Sequence, residues 1–467
     1  MICRSQSSAG GKPPEGGVST PTEVPDRVRD RPVLKFSWLG VAPFLACDRI
    51  PLLPVPSFPH CEGTGLLRPA LGSNGPVLKY LVAYLDPRVF VTLVAMRPSW
   101  IEVDLDAIEA NVRAIRAAIY PAGVCAVVKA DGYGHGDVAA ARAAMAGGAT
   151  WLAVALVAEG IRLREGGVDL PILVLSEPLE EELEAVVQWS LTPIVYRSEF
   201  IEAVAEAAER EDSTPYPVHL KVDTGMHRVG ADPATAIDLA RRIHADERLV
   251  LEGVATHLPV AEEDAEFTAR QVADIAEFRD LLAAEGIDVD YVHAANTAGA
   301  LDHPDARFDF ARVGLGIYGL RPTPETGRGV ELVPAMRVVS AVTFVQRLPA
   351  GARPSYGRVR PLPSPSTVAT VPLGYADGIP RRLSALGGEV LIRGRRYPFA
   401  GTVTMDQVVV DVGDDPVDVG DEVVFVGRQG TEEVTATEWA DLLSTINYEV
   451  VCQFGPRLPR RYIKGGS

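Results

Sequence analysis

The sequence is short of cysteine, of positive charge and of long apolar runs, and each shortage removes a class of protein. Its five cysteines, Cys3, Cys47, Cys61, Cys125 and Cys452, are odd in number and show neither metal-ligand spacing nor a disulfide framework. A reducing compartment, the cytoplasm, fits them best, and no metal site is expected. Lys and Arg number 45 against 62 Asp and Glu, for a net charge of −17. That much acid argues against nucleic acid or an anionic membrane as the main partner, while leaving room for one locally basic pocket. The best apolar run, residues 77–96, is broken by Asp86, Pro87 and Arg88, too early for a membrane span. The first residues are polar and rich in Gly and Pro where an export signal needs an apolar core.

What is present suits a soluble globular protein of more than one domain. Hydrophobic residues make up 47% and charged residues 23% of 467, enough for a catalytic domain and a smaller partner. Residues 1–95 are rich in Pro, Gly and Ser without sustained periodicity and read as a poorly ordered extension. Met96 is one possible functional start, with "MRPSWIEVDLDAI" opening patterned sequence at once; an authentic flexible tail is the other reading. Residues 96–335 alternate strand and helix patterns. Eight strand candidates, "CAVVKA", "WLAVAL", "PILVLS", "TPIVYR", "PVHLKVD", "LVLEGVATHL", "DYVHAANT" and "ARVGLGIYG", predict an α/β fold, a TIM (β/α)8 barrel with its chemistry at the strand C-termini. Residues 336–467 read as a mainly β domain, interrupted by the helical segment "TATEWADLLSTI" with Thr435 or Thr437 as N-cap.

The sharpest local signal is "AVVKADGYGHG", residues 126–136, an apolar strand ending in Lys129 before a loop with three glycines. A lysine there is costly unless paired, exposed or chemically used, and a lowered pKa would make it a Schiff-base nucleophile. Taken alone, Lys129 fits a snorkelling lysine better than a chemical one. "HAANTAG" and "ARVGLGIYG" add hydroxyls and glycine turns at strand ends, of the kind that cradle phosphate.

Together these segments resemble the alanine racemases, fold type III pyridoxal-phosphate enzymes with a barrel and a β domain, over residues 96–467. The resemblance implies that Lys129 holds pyridoxal 5'-phosphate as an imine, and that Tyr133, Thr297, the amides of Gly314 and Leu315, and Tyr448 of "TINYE" form its phosphate cup. Arg312 would meet the pyridine nitrogen. An arginine there, all donors, keeps that nitrogen unprotonated and weakens the ring as an electron sink, which favours reprotonation over transamination. His257 would link Arg312 to the second base, Tyr356 of "PSYGR", supplied by the neighbouring subunit of a homodimer. Arg228 and the backbone N–H of Met405 would meet the substrate carboxylate. Tyr375 and Asp406 would border the entrance, and Lys221 matches a position carbamylated in some members. The implied activity is interconversion of L- and D-alanine by two bases, Lys129 and Tyr356, supplying D-alanine for peptidoglycan. Val313, where proline is common, and Thr297, where serine is common, are mild departures.

Alternatives on the same scaffold are a serine or broad-specificity racemase, a D-amino-acid dehydratase or a basic-amino-acid decarboxylase; from another class, a non-catalytic pyridoxal-phosphate carrier. A carrier needs no Tyr356. A chain beginning at Met96 is expected to fold and racemise alanine like the full chain, checked by melting temperature and enantiomer separation; an insoluble or inactive product would assign residues 1–95 to the fold.

Overall fold

The computed structural model describes residues 97–464; the expectations for residues 1–95 and for Cys3, Cys47 and Cys61 lie outside the described residues. The first strand, β1 (Ser99–Asp104), alternates inward Ser99, Ile101 and Val103 with half-exposed neighbours. Asp104 then caps the helix Leu105–Ile119, its carboxylate accepting from the N–H groups of Asp106 and Ala107 at 2.9 and 3.0 Å. Ile108, Val112, Ile115 and Ile119 recur at helical spacing and are fully buried.

The eight apolar runs become β2 (Gly123–Val127), β3 (Trp151–Val154), β4 (Ile172–Val174), β5 (Thr192–Val195), β6 (Tyr216–Lys221), β7 (Leu249–Ala255), β8 (Tyr291–His293) and β9 (Phe310–Val313). They pair in the order β8-β7-β6-β5-β4-β3-β2-β9, all parallel. The two ends meet: Asp309 N–H donates to the Val292 carbonyl at 3.1 Å and Arg312 N–H to that of Ala295 at 2.9 Å. The result is the expected barrel. Its interior holds aromatic rings, Trp151 stacked on Phe310 at 5.5 Å and Phe310 on His293 at 4.5 Å.

After the barrel come β10 (Met336–Ala341), β11 (Phe344–Leu348), β12 (Ser366–Val371), β13 (Glu389–Ile392), β14 (Arg395–Pro398), β15 (Val408–Gly413), β16 (Glu422–Gln429), β17 (Glu432–Val434) and β18 (Arg460–Ile463). One sheet runs β14-β13-β16-β10-β1-β18 with β17 on β16, and a second runs β11-β12-β15. Within the stretch expected to form the barrel, β1 pairs instead with β10 and β18. Its period-two pattern buries one face, as a strand of the β sheet needs, whereas barrel strands are apolar on both. The chain thus starts in the β layer, winds the barrel and returns. The β13–β14 hairpin turns at Arg393 and Gly394, both at positive φ (51° and 72°). Thr435, rather than Thr437, caps the helix Ala436–Leu443, its hydroxyl accepting from Glu438 N–H at 2.9 Å.

Asn111 ties the first helix to the connection leaving the barrel. Its amide donates to the carbonyls of Ile317 (3.2 Å) and Val333 (2.8 Å) and accepts from Val333 N–H at 2.8 Å. Asn111→Leu strands these buried backbone groups and is expected to cost about 2–4 kcal/mol, read as a lower urea midpoint at unchanged m-value. A variant as stable as the parent would show that water takes over these bonds.

Candidate active site

The C-terminal ends of the barrel strands surround a cavity of about 370 Å³. After β2 it receives Lys129 and Tyr133, at the end of β6 Lys221, after β7 His257, after β8 Thr297, from β9 Arg312, and after β9 Gly314 and Leu315. Arg228, Tyr448 and Cys452 complete much of the wall. Four cationic side chains line it, Lys129, Lys221, Arg228 and Arg312, and among the described residues no carboxylate does. In a chain with a net charge of −17 this is a built anion site. Among the described residues no group of His, Cys, Asp or Glu could hold a metal ion.

Lys129 and Tyr133 are set by a backbone feature the sequence reading missed. Ala130, Asp131, Gly132, Tyr133 and Gly134 all have positive φ, between 51° and 80°, forming a left-handed turn. Such a conformation costs roughly 1–2 kcal/mol for each residue with a Cβ, so it persists only where its surroundings impose it. Glu159 accepts from Ala130 N–H at 2.7 Å with one oxygen, and from the N–H groups of Ala155 (2.9 Å) and Leu156 (3.1 Å) with the other. Arg460 of β18 donates to the Gly134 carbonyl at 3.0 Å, while its two Nη atoms hold the carbonyls of Phe454, Gly455 and Leu458. The helix Asn447–Cys452 lies over the turn so closely that a Cβ on Gly134 would come within 2.3 Å of the Val451 carbonyl oxygen.

Tyr133 then points its hydroxyl at Gly314, where an added Cβ would lie 2.4 Å from that oxygen. Thr297 Oγ1 accepts from Gly316 N–H at 3.3 Å, and the rings of Tyr133 and Tyr448 lie 6.2 Å apart. Burial raises the pKa of both tyrosines, keeping them as hydroxyl donors.

Arg312 is buried and its guanidinium is almost fully engaged. Nη1 donates to His293 Nδ1 (2.5 Å) and the His293 carbonyl (2.9 Å); Nη2 donates to the carbonyls of Thr256 (2.7 Å) and Ala294 (3.0 Å) and lies 3.2 Å from His257 Nδ1. Nε–H is left over, without a hydrogen-bond partner among the described residues. Burial lowers Arg312 to about 10, so it stays charged near neutrality. Burial, then Arg312, pushes His257 well below its usual range, so the imidazole is neutral. Burial and the neighbouring Arg228 lower Lys129; burial and then Arg312 bring Lys221 to about 8. Arg228 makes no ion pair or hydrogen bond among the described residues.

Tyr356 and Met405 do not line this cavity. Tyr356 is 68% and Met405 53% exposed, and Tyr375 and Asp406 are exposed beside them. The loop is nevertheless held: Thr402 Oγ1 donates to the Tyr356 carbonyl at 2.9 Å, and Asp406 pairs with Arg457 at 2.7 Å. Cys452 on the cavity wall was not anticipated; nothing in a lone cysteine's local sequence marks it.

Two family models match, the N-terminal domain of alanine racemase over residues 103–322 and its C-terminal domain over residues 335–462. The chain belongs to the alanine racemase family. With that family it is an isomerase. The alanine racemase of Symbiobacterium thermophilum is 46% identical over 372 residues, covering 79% of this chain and 98% of the relative; that of Carboxydothermus hydrogenoformans is 40% identical over 373 residues, covering 79% and 100%. The crystal structure of the E. faecalis alanine racemase superposes with a TM-score of 0.73 at 38% identity, covering 79% of this chain and 98% of that one. That of the Bacillus anthracis alanine racemase with bound L-Ala-P has a TM-score of 0.73 at 34% identity, covering 79% and 96%.

The left-handed turn gives a sharp expectation. Gly134→Ala should destabilise this racemase by about 3 kcal/mol or more, because both the φ of 80° and the Val451 carbonyl oppose a side chain. Gly132→Ala, with φ 60° but nearest atoms at 3.3 Å, should cost less. Equal losses in denaturant unfolding would mean that the approach of Val451 is not what requires glycine at 134.

Proposed function

We propose that the cavity binds pyridoxal 5'-phosphate on Lys129 and that the chain uses it to interconvert L-alanine and D-alanine, the source of D-alanine for peptidoglycan. The observation that carries this reading is the carboxylate-free cavity lined by four cations, with a strand-end lysine whose pKa is lowered. That lysine keeps an unprotonated, nucleophilic fraction, which attachment of an aldehyde requires. Pyridoxal phosphate, when bound, supplies an electron-withdrawing ring that makes the α-proton of an amino acid removable.

The side chains divide the remaining work. The hydroxyls of Tyr133, Thr297 and Tyr448 and the amides of Gly314 and Leu315 hold the phosphate. Arg312 offers Nε–H to the ring nitrogen; having no proton to give away at neutral pH, it leaves that nitrogen unprotonated. Arg228, free of other partners, takes the substrate carboxylate. Lys129 moves the proton on one face of the α-carbon. Tyr356 moves it on the other.

Because Tyr356 and Met405 are exposed and outside their own chain's cavity, we assign them to a homodimer in which Tyr356 of the partner subunit completes each site and Met405 of the partner subunit adds its N–H. His257, neutral and accepting from Arg312 at Nδ1, carries its proton on Nε2 and can offer it to the tyrosine oxygen. The two domains are the barrel, within residues 96–335, and the β layer, residues 336–467 joined by β1, with residues 1–95 as an extension. The free thiols Cys125 and Cys452 fit a cytoplasmic enzyme; no described helix is long and apolar enough to cross a membrane. A serine or broad-specificity racemase is the weaker reading, the relatives named above being alanine racemases.

The test uses two dead variants. Lys129→Ala should lose the visible absorbance of bound cofactor, and borohydride reduction of the parent should label Lys129 alone by mass spectrometry. Homodimers of Lys129→Ala and of Tyr356→Phe should each be nearly inactive in enantiomer separation of alanine. Mixed and allowed to exchange, half the dimers become hybrids with one intact site in two, restoring about a quarter of parental activity. No recovery after verified exchange would show that Tyr356 serves its own chain, and labelling elsewhere would remove Lys129.

A further inference from the structure

A line of hydrogen bonds leaves the cavity and runs through the barrel core. Arg312 Nη1 meets His293 Nδ1 at 2.5 Å, His293 Nε2 meets His219 Nδ1 at 2.8 Å, and His219 Nε2 meets Glu252 Oε2 at 3.1 Å. Both histidines are fully buried, and only the Glu252 side chain reaches solvent, at 23%. Burial lowers the pKa of both rings, so each carries one proton.

With one proton per ring, the positions are forced. A guanidinium only donates, so His293 Nδ1 must be the bare nitrogen and its proton sits on Nε2. That proton needs an acceptor, which makes His219 Nδ1 bare and puts the second proton on His219 Nε2. In a sealed interior this last N–H would be an orphan, and Glu252 takes it. Reversing the line would turn a protonated His293 Nδ1 against Arg312 Nη1–H, donor against donor. The backbone is cut to fit. A Cβ on Gly253 would lie 2.7 Å from both Nδ1 and Cε1 of His219, and the β6–β7 register shifts between Val218 and His219. Trp151 meets the His219 ring edge-on at 5.4 Å, and Phe310 stacks on His293.

We propose that Glu252 is a positioning residue for the reaction: acting from outside the cavity, its carboxylate fixes the tautomers of His219 and His293 and so holds Arg312 with Nε–H turned to the cavity. Its bearing on catalysis rests on the reading of Arg312 as the partner of the cofactor ring. Among the described residues no carboxylate touches the Arg312 guanidinium, whose other acceptors are backbone carbonyls and His257, so its orientation rests on neutral groups, of which His293 at the end of this line is one.

The test compares Glu252→Leu, which removes the acceptor, Glu252→Gln, which can donate as well as accept, and Glu252→Asp, which restores a carboxylate. In cofactor-free protein with ¹⁵N-labelled histidine, the parent should show both His219 and His293 protonated at Nε2, and Glu252→Leu should lose that uniform pattern. Loaded with pyridoxal phosphate, the Leu and Gln variants should lose about tenfold or more in kcat, with KM for alanine changed less than twofold and half-transamination per turnover raised. Glu252→Asp should recover most of kcat. A folded Glu252→Leu with parental ring signals and parental kcat overturns the proposal. If Glu252→Leu does not fold, the parent's tautomers and the Gln variant decide: a parental His219 protonated at Nδ1, or Gln kinetics equal to the parent's, overturns it equally. If the parent shows the expected tautomers but does not racemise alanine, the proposed function fails while the relay stands.

Discussion

The left-handed turn from Ala130 to Gly134 is the constraint on which the active site depends. It reverses the chain directly after β2, so that Lys129 and Tyr133, four residues apart, both reach the cavity. Three of its residues carry a Cβ, and the strain has to be met from elsewhere. Glu159 holds one end from the barrel side and Arg460 the other from β18, with Val451 closing over Gly134. The β layer is therefore a clamp for the cavity floor as well as a platform for Tyr356. β1 and β18 pair with each other, so the described chain opens and closes in adjacent strands, and the second of them carries the Arg460 that braces the turn.

The electrostatics follow from the same economy. Four cations facing one cavity repel one another, and burial adds a desolvation cost to Lys129, Lys221 and Arg312. The protein meets this without lining the cavity with carboxylates, which would compete with an anionic ligand. Arg312 is answered by backbone carbonyls and neutral imidazoles; Lys129 and Lys221 have lowered pKa values; Arg228 stays exposed, where water supports its charge. Glu159 is buried nearby but spends its oxygens on backbone N–H groups instead of pairing with Lys129. An anion entering the cavity relieves charge strain already present in the fold.

Much of this was legible in the sequence. Each of the eight apolar runs became a barrel strand because period and length suffice to identify buried parallel strands, and residues at their ends converge once the barrel closes. Three features were hidden for definite reasons. A left-handed turn with alanine, aspartate and tyrosine in it contradicts local preference, and it persists because Glu159 holds one end and β18 and the helix Asn447–Cys452, more than 300 residues away, hold the other. β1 looked like the start of the barrel domain because sequence position suggests it, whereas its alternating pattern belongs to the sheet of β10 and β18. The His293–His219–Glu252 line joins side chains from three strands, and one histidine on an apolar strand reads as ordinary core.

The division of the candidate site between barrel and β layer also bears on the proposal that two chains share each site. Every group that would hold the cofactor lies on the cavity wall of one chain, while Tyr356, the proposed second base, and Met405 sit on an exposed surface of the β layer. Exposed tyrosine and methionine are a poor arrangement for a phenol that must trade a proton with an amino-acid α-carbon, since water would compete for both its oxygen and the substrate. The loop is nonetheless built with care: Ser355 and Gly357 adopt positive φ, and Thr402 holds the Tyr356 carbonyl, fixing the ring's departure from the surface. The loop's own contacts, Ser355 donating to the Thr402 carbonyl and packing over Gly401, hold it in place but do not cover the Tyr356 ring, whose exposure is left to explain. It is explained if the same surface is covered by a second copy. On that reading each site excludes water only when paired, and the proton shuttle of each chain is switched on by the cavity of the other.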